Sequence, residues 1–481
     1  VPSLTSDQRA DLDAALAVGP KMQALAAAFA EAGHELYLVG GSVRDALLGR
    51  LSKDLDYTTS ARPDDIEGLV RRFTRAVWDV GRAFGTIACR IVEADGSEWL
   101  VEITTFRADA YDPDSRKPVV EFGDHLGGDL VRRDFTINAM ALDVTSGELL
   151  DPFNGLADLD AMLIRTPAAP EISFSDDPLR MMRAARFASQ LGFRPAPEVV
   201  AAMRADADRI QIISAERVRD ELTKLLLSDN PRPGLDLLVE TGLADLILPE
   251  LPALKMEADE HNHHKDVYQH TLTVIEQAIA LERERGHAPD LVNRLAALFH
   301  DIGKPRTRKF EPNGKVSFHH HDVVGAKMTR KRMQALHFSN EEIKAVSALV
   351  ELHLRFHGFG AGQWTDSAVR RYVRDAGVEL EHLHILTRSD CTTRNQRKAE
   401  NLRRAYEELE WRIDELSAKE ELNAMRPDLD GTAIMELLGV GPGPVVGKAY
   451  KFLLERRIDD GPLGVEKARE VLLAWWAQQQ S

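Results

Sequence analysis

The chain has 481 residues, 44% hydrophobic and 29% charged, with a formal net charge of −16. This composition describes a soluble globular chain and argues against a generally polybasic nucleic-acid binder, so any such site must be a local basic patch. Two cysteines, Cys89 and Cys391, exclude a disulfide framework and point to a reducing compartment. We find no signal peptide and no apolar run long enough to span a membrane, so the expectation is a cytoplasmic protein; the length suggests about three or four domains.

Residues 1–33 read as a helical extension. Its Ala-rich stretch, Leu12 to Ala32, is broken by Gly19 and Pro20, carries charges and reads as a surface helix. From 34 to 165 the pattern is mixed α/β. The segment Glu35 to Thr59, ELYLVGGSVRDALLGRLSKDLDYTT, reads as strand, glycine turn, short helix, strand. Gly40 and Gly41 permit a tight turn, Ser42 opens a helix that runs to Leu48, and Gly49 closes it. A helix start behind glycines offers free N–H groups to a phosphate. Asp54 and Asp56 in the next strand point to one face and repel unless a cation joins them; oxygen ligands beside phosphates suit Mg²⁺. The unit is built for a metal-bound nucleoside triphosphate, or else is a packed turn with a solvated acidic strand.

Ile87–Glu93 and Trp99–Arg107 read as a strand pair around Ala94-Asp95-Gly96-Ser97. Glu102 shares a face with Leu100 and Thr104, and is either a third metal ligand or an edge-strand charge. The polar stretch Arg107 to Pro118, with Asp109, Tyr111, Asp112, Pro113, Asp114 and Arg116, reads as a mobile loop. In DLVRRDFTINAMALD, Arg132 and Arg133 precede an apolar run of helical type, and their guanidinium forks suit bidentate phosphate binding. Asp134 caps that helix or holds a ribose hydroxyl.

From residue 166 the pattern is helical. Asp177 before Pro178 is a good N-cap for the first long helix. Asp177 and Arg180, three apart, also share a face, with Arg183 on the same stripe as Arg180. A carboxylate acceptor beside a guanidinium donor can pair with a base edge. Cytosine and adenine both offer an exocyclic amine beside a ring-nitrogen acceptor, whereas uracil and guanine reverse that polarity. Ser214 caps another helix, whose Arg217 and Arg219 face the same cleft if the two helices pack antiparallel; Arg217 is the candidate for nucleotide or RNA support and Arg219 fits a solvated face equally well.

Eleven of the sixteen histidines lie between His261 and His353, a concentration that marks a second constellation. His270, His300-Asp301, His321, His353 and Asp390 each fall in a separate helical segment, and imidazole with carboxylate suits a transition metal. His261, His263, His264, His319 and His320 read as incidental surface. The tail from Glu400 is helical, broken by a turn over Gly439–Gly447 with a helix from Val445 to Glu455 following. That glycine-rich helix entry fits an RNA phosphate or a structural hairpin.

The order GGS turn, helix, DxD strand resembles the active-site signature of the DNA polymerase β-like nucleotidyltransferases. The longer string GGSVRDALLGR…KDLDYTT resembles the class II tRNA nucleotidyltransferases (CCA-adding enzymes) and bacterial poly(A) polymerases. RRDFTINA resembles their nucleotide pocket, DDPLR their EDxxR template motif with Asp176 in place of Glu, and ISAERVRDEL their helical neck. The histidine order resembles the HD phosphohydrolases, with His270, His300, Asp301 and Asp390 as the basic ligand set. His321 and His353 match positions that complete a two-metal site in some of them.

The resemblance implies an α/β nucleotidyltransferase head (34–165), a helical neck for base selection and RNA binding (166–255), an HD domain (256–400) and a helical tail that meets tRNA (401–481), the all-α remainder being elongated. It implies template-independent addition of C, C and A to tRNA from CTP and ATP. Asp54 and Asp56, with Glu102, would be catalytic and hold two Mg²⁺. Gly40, Gly41, Ser42, Arg44, Arg132, Arg133, Asp134, Asn138, Asp177, Arg180, Arg183 and Arg217 would bind the nucleotide, with a transition metal at the HD site. The expected chain is a monomer or homodimer. The alternatives are a poly(A) polymerase, for which a basic rather than acidic tail is expected, a CC-only or A-only enzyme, and a phosphohydrolase whose HD region is the main activity.

Overall fold

A computed structural model describes residues 4–50, 53–79, 81–107, 123, 125–255, 266–312, 316–356, 365–392, 395–420 and 426–480. The polar segment with Asp109, Tyr111, Asp112, Pro113, Asp114 and Arg116, and the histidines His261, His263 and His264, lie outside the described residues. The chain forms two compact units, Val1–Pro249 and Glu250–Ser481.

The first unit is built on a seven-stranded sheet of order β3-β4-β5-β2-β1-β6-β7. The strands are β1 (Leu36–Val39), β2 (Asp54–Thr59), β3 (Val77–Trp78), β4 (Thr86–Val92), β5 (Glu98–Thr105), β6 (Ala141–Asp143) and β7 (Leu149–Leu150). β1 is antiparallel to both β2 and β6, whereas β2 runs parallel to β5. The expected β4–β5 pair forms, and alternation buries Ile87, Cys89, Ile91, Val101 and Ile103 on one side. Because β5 lies between β4 and β2, Glu102 is on an inner strand, and the edge-strand reading falls.

The N-terminal stretch forms two helices, Ser6–Leu16 and Pro20–Glu31, separated at Gly19 as its breaker residues require. Both lie at the surface as expected, with most of their side chains exposed or half-buried. Met22, Leu25, Ala28 and Phe29 form one buried stripe, and the Glu93 carboxylate accepts the Lys21 and Met22 N–H groups at the start of the second helix. The run after Arg133 is not a helix. Phe135 to Leu142 is buried throughout, but Phe135 and Ile137 alternate with polar Thr136 and Asn138 and the run carries no helical period; it folds as a 3-10 turn, Thr136–Asn138, followed by β6. The neck helix Leu179–Gln190 packs on Ala215–Leu226, which Ser214 caps as expected.

Among the described residues the second unit is helical apart from one antiparallel strand pairing, Lys309–Phe310 with Val316–Ser317. Tail helices Gly431–Leu438, Pro444–Asp460 and Val465–Gln480 pack on a small core of Ile434, Ala449, Leu453 and Leu472. The glycine turn is shorter than expected. The helix starts at Pro444, whose fixed φ suits a first turn, so Gly447 is inside it.

Candidate functional site

In the head, parallel pairing sets Asp56 directly opposite Glu102 and Asp54 opposite Leu100. Asp54, Asp56 and Glu102 thus share an exposed sheet face. Partial desolvation and the charge of Asp54 raise the Asp56 carboxyl above its ordinary range, against the pull of Arg133. Glu102 is raised too, by desolvation and then by Asp56 and Asp54. Such mutual repulsion fits a cation-binding group.

The glycine turn closes over this face. Gly40 has φ +67°, and a Cβ there would lie 3.0 Å from Arg133 Nη1 and 3.7 Å from Asp56 Oδ2. Only glycine leaves that space between guanidinium and carboxylate. Ser42 is used differently from expectation: its hydroxyl accepts from the Asp56 N–H at 3.0 Å and donates to the Asp54 carbonyl at 3.2 Å. It therefore clamps β2 to the helix Gly41–Leu47. Arg132 and Arg133 follow the helix Leu126–Val131, and buried Asp129 accepts from both, at 3.3 and 3.1 Å. Burial would raise Asp129, but Arg133 and Arg132 outweigh it and hold the carboxyl low.

Four more predicted residues join in a single polar chain. Arg44 Nη1 donates to Asn138 Oδ1 at 2.7 Å, and Asn138 Nδ2 donates to Asp134 Oδ1 at 3.0 Å. Arg183 Nε donates to Asp134 Oδ2 at 2.7 Å. Burial opposes the charge on Asp134, yet Arg183, Asn138 and the Phe135 N–H hold its carboxyl at about 2. The chain continues to Glu221, which Arg186 meets at 2.6 Å, while Arg44, Arg183 and Arg186 surround the Phe187 ring.

Asp177 and Arg180 do not pair with each other. Asp177 Oδ1 accepts from the Leu179 N–H at 3.1 Å, the capping bond, and Oδ2 accepts from Arg217 at 3.1 Å. Arg180 is buried and donates to the Ser173 hydroxyl at 2.8 Å and to the Arg132 carbonyl. Arg219 donates to its neighbour Asp220 at 2.9 Å. Sequence reasoning missed Asp129, Ser173, Phe187, Arg186 and Glu221. Only Asp129 carried a local signal, a carboxylate three and four positions before two arginines.

In the second unit the six predicted ligands converge. His270 lies in Val267–Glu284, His321 opens His321–Ala335, and His300, His353 and Asp390 end Leu291–Phe299, Asn340–Leu352 and Leu380–Ser389. Their donor atoms form two groups, His270/His300/Asp390 and Asp301/His321/His353, each within 4.8 Å. Asp301 stays with the expected basic set and also bridges to the second group: its Oδ2 lies 3.2 Å from His300 Nε2 and 3.5 Å from His270 Nε2, and its Oδ1 lies 3.4 Å from His321 Nε2 and 4.0 Å from His353 Nε2. Nδ1 of His300, His321 and His353 faces the carbonyl of Ala297, Phe318 and Val350 at 2.8, 2.8 and 2.6 Å. A carbonyl only accepts, so Nδ1 carries a proton in each ring and Nε2 is the atom aimed inward. Burial would lower the His300 ring, but the Asp301 and Asp390 carboxylates outweigh it and raise the ring above its ordinary range.

Nε2 of His321 and of His353 is buried without a hydrogen-bond partner, and Nε2 of His300 and His270 lie 3.3 Å apart. Burial and the neighbouring His300 hold His353 down at about 4, so it is neutral. These orphaned, converging donors fit metal ions. The head carboxylates share a face without gathering to that distance.

Comparison with known proteins defines the class. The poly A polymerase head domain matches residues 36–165, the probable RNA and SrmB-binding site of polymerase A matches 192–254, and the HD domain matches 267–394. The chain is 35% identical over 450 residues to the A-adding tRNA nucleotidyltransferase of Deinococcus radiodurans, covering 92% of this chain and 95% of that one. It is 45% identical over 214 residues to the CCA-adding enzyme of Levilactobacillus brevis, covering 44% of this chain and 51% of that enzyme. Among solved structures, the Bacillus stearothermophilus CCA-adding enzyme in complex with CTP superposes with a TM-score of 0.66 at 25% identity, over 96% of this chain and 98% of that one. The chain belongs to the tRNA nucleotidyltransferase family that carries the poly A polymerase head, here joined to an HD domain.

Proposed function

We propose that this chain adds C, C and A to the 3′ ends of tRNA from CTP and ATP. The observation that carries this reading is the alignment of Asp54, Asp56 and Glu102 on one face under the Gly40 turn and Arg133, in a chain similar along its length to a tRNA nucleotidyltransferase. Asp54, Asp56 and Glu102 would hold Mg²⁺, which supplies charge neutralisation at the reacting phosphate oxygens. Arg132 and Arg133, fixed by Asp129, bind the triphosphate. Asp177 and Arg180 select the base. The Arg180 bond to the Arg132 carbonyl ties that choice to the phosphate grip.

In this reading residues 34–165 are catalytic, 166–255 select the base and 401–481 contact tRNA, as a monomer or homodimer in the cytoplasm. Among the described residues no helix is long and apolar enough to cross a membrane. The test is incubation of tRNA lacking its last three nucleotides with CTP, ATP, and both. Stepwise growth by two residues with CTP and three with both is expected. Growth with ATP only on tRNA ending in CC would instead assign the activity of the Deinococcus relative.

A second activity is favoured by the two converging ligand groups. We infer that the HD region, 256–400, is a metal-dependent phosphoester hydrolase. His270, His300 and Asp390 hold one transition metal and Asp301, His321 and His353 a second, and bound metals there would lower the pKa of water and polarise a phosphoryl oxygen. Metal analysis of the purified chain and hydrolysis of p-nitrophenyl phosphate test it.

A further inference from the structure

The HD ligands Asp301 and His321 bracket the only described strand pairing of the second unit. Gly303 packs so tightly on the first turn of His321–Ala335 that a Cβ would lie 2.1 Å from the His321 carbonyl. Both ends of the segment are therefore fixed at the ligand cluster. From there it runs KPRTRKF, placing Lys304, Arg306, Arg308, Lys309 and Phe310 within seven residues of a chain whose net charge is −16.

These cations divide by position. Lys304 turns back and donates to Asp301 Oδ2. Arg306 and Lys309 are exposed, and among the described residues neither makes an ion pair. The Arg308 guanidinium lies 4.8 Å from the centre of the Phe310 ring, which is nevertheless 68% exposed. Glu311, the acid of this strand, already accepts from Ser317 at 2.6 Å. On the returning side His319 and His320 are exposed, and His320 has φ +62°, a conformation uncommon outside glycine.

An exposed aromatic ring flanked by unpaired cations is the combination that holds single-stranded nucleic acid. A base stacks on the ring while the cations follow the phosphates. A helical turn and two strand residues give the segment that starts at the ligand cluster a reach on the order of 10 Å, longer than one small phosphoester bound at the ligands requires. We propose that the HD centre takes single-stranded RNA, with the end of the strand at the six ligands and the following nucleotides along Arg306, Lys309 and Phe310. This rests on reading the centre as a phosphoester hydrolase.

The full chain is assayed with Mn²⁺, Ni²⁺ or Co²⁺ on two substrates: a single-stranded RNA decamer bearing a 3′-phosphate, and p-nitrophenyl phosphate. The ratio of their kcat/KM values is compared between the parent chain and the variant carrying Arg306→Ser, Lys309→Ser and Phe310→Ser. A fall in that ratio of at least tenfold is expected, with nucleotide addition to tRNA serving as the folding control. Independently, a decamer carrying 4-thiouridine is photo-crosslinked in EDTA with excess tRNA occupying the head, and crosslinks within 304–321 are expected. Hydrolysis of p-nitrophenyl phosphate with a ratio that moves less than twofold, or crosslinks confined to 1–249, overturns this inference and leaves the hydrolase reading standing. Hydrolysis of neither substrate with any of the metals overturns both.

Discussion

The head site and the HD site solve opposite electrostatic problems. In the head, three acids lie side by side on one exposed sheet face, and Asp56 and Glu102 are pushed above the ordinary carboxylate range by desolvation, then by Asp54 at Asp56 and by Asp56 and Asp54 at Glu102. In the HD unit, Asp301 and Asp390 are held below that range despite burial: His300 and Lys304 outweigh it at Asp301, and His270 and His300 at Asp390. The first arrangement is an open set of hard oxygens, suited to an ion that arrives with its substrate. The second is buried, gathered by its own contacts and rich in imidazole, suited to an ion that stays. Ligand type and burial therefore distinguish two candidate metal sites carried by a single chain.

The sharpest way to break the comparison is to remove one ligand from each side. Asp54→Ala or Asp56→Ala should lower nucleotide addition on the order of 10³-fold or more, with metal bound at the HD site unchanged by mass spectrometry. Full addition by either variant would remove the head from the chemistry. Conversely, His300→Ala or Asp301→Ala should deplete the HD metals and abolish phosphoester hydrolysis, while tRNA extension proceeds at the parent rate. Loss of both activities would mean that the two sites are not separable.

Base choice is the next largest effect. Asp177 as a carboxylate can only accept and Arg180 can only donate, so uracil meets each with the wrong group. Two unpaired buried groups at about 1–3 kcal/mol each give on the order of 10² to 10⁴-fold discrimination. Asp177→Ala should raise UTP use as CTP use falls, read from single-turnover incorporation. An unchanged CTP:UTP ratio with lowered stability would leave Asp177 as the cap of Leu179 and the partner of Arg217.

Acid should separate the regions by sign. Asp56 and Glu102, being raised, take up protons above the ordinary carboxylate range, so the Mg²⁺ concentration needed for half-maximal addition should begin to climb there as pH falls. Asp134 behaves oppositely. Its folded value of about 2 lies below the ordinary value of 3.8, so its contribution is complete above 3.8 and is lost as pH falls through about 2. Asp134→Asn should cost roughly 2 kcal/mol at neutral pH, and in urea titrations the gap from the parent should narrow on acidification within that window. The smallest effect belongs to the neck: Arg219→Ala should change addition less than about twofold, since surface ion pairs contribute ~0–1 kcal/mol. Arg217→Ala should change it more, because it frees Asp177.

Much of both sites was legible before any coordinates, because their chemistry sits in short strings. Asp54-Leu55-Asp56 shares a face by the two-residue period of a strand, and Gly40-Gly41-Ser42 marks the turn that leads to it. His300-Asp301 and the separately placed His270, His321, His353 and Asp390 stood out because histidine is scarce outside their region. Where the sequence misled, periodicity was ambiguous. Phe135 to Leu142 is buried at every position and apolar at all but Thr136 and Asn138, which suits a buried strand as well as a helix, and only its pairing with β1 chose.

Tertiary structure decided what those side chains do. Ser42 could have met a phosphate, but it clamps β2. Arg44, Asn138, Asp134 and Arg183, spread over about 140 residues, become one hydrogen-bonded chain, with Glu221 4.0 Å from Arg183 as an ion-pair partner. Arg180 is locked to Ser173 and the Arg132 carbonyl, and Asp301 bridges the two ligand groups through its two carboxylate oxygens. The physical reason is that local spacing fixes which face a residue occupies within its own element. Which acceptor a donor meets across elements depends on how strands register and helices pack, and that follows from burial summed over the whole unit.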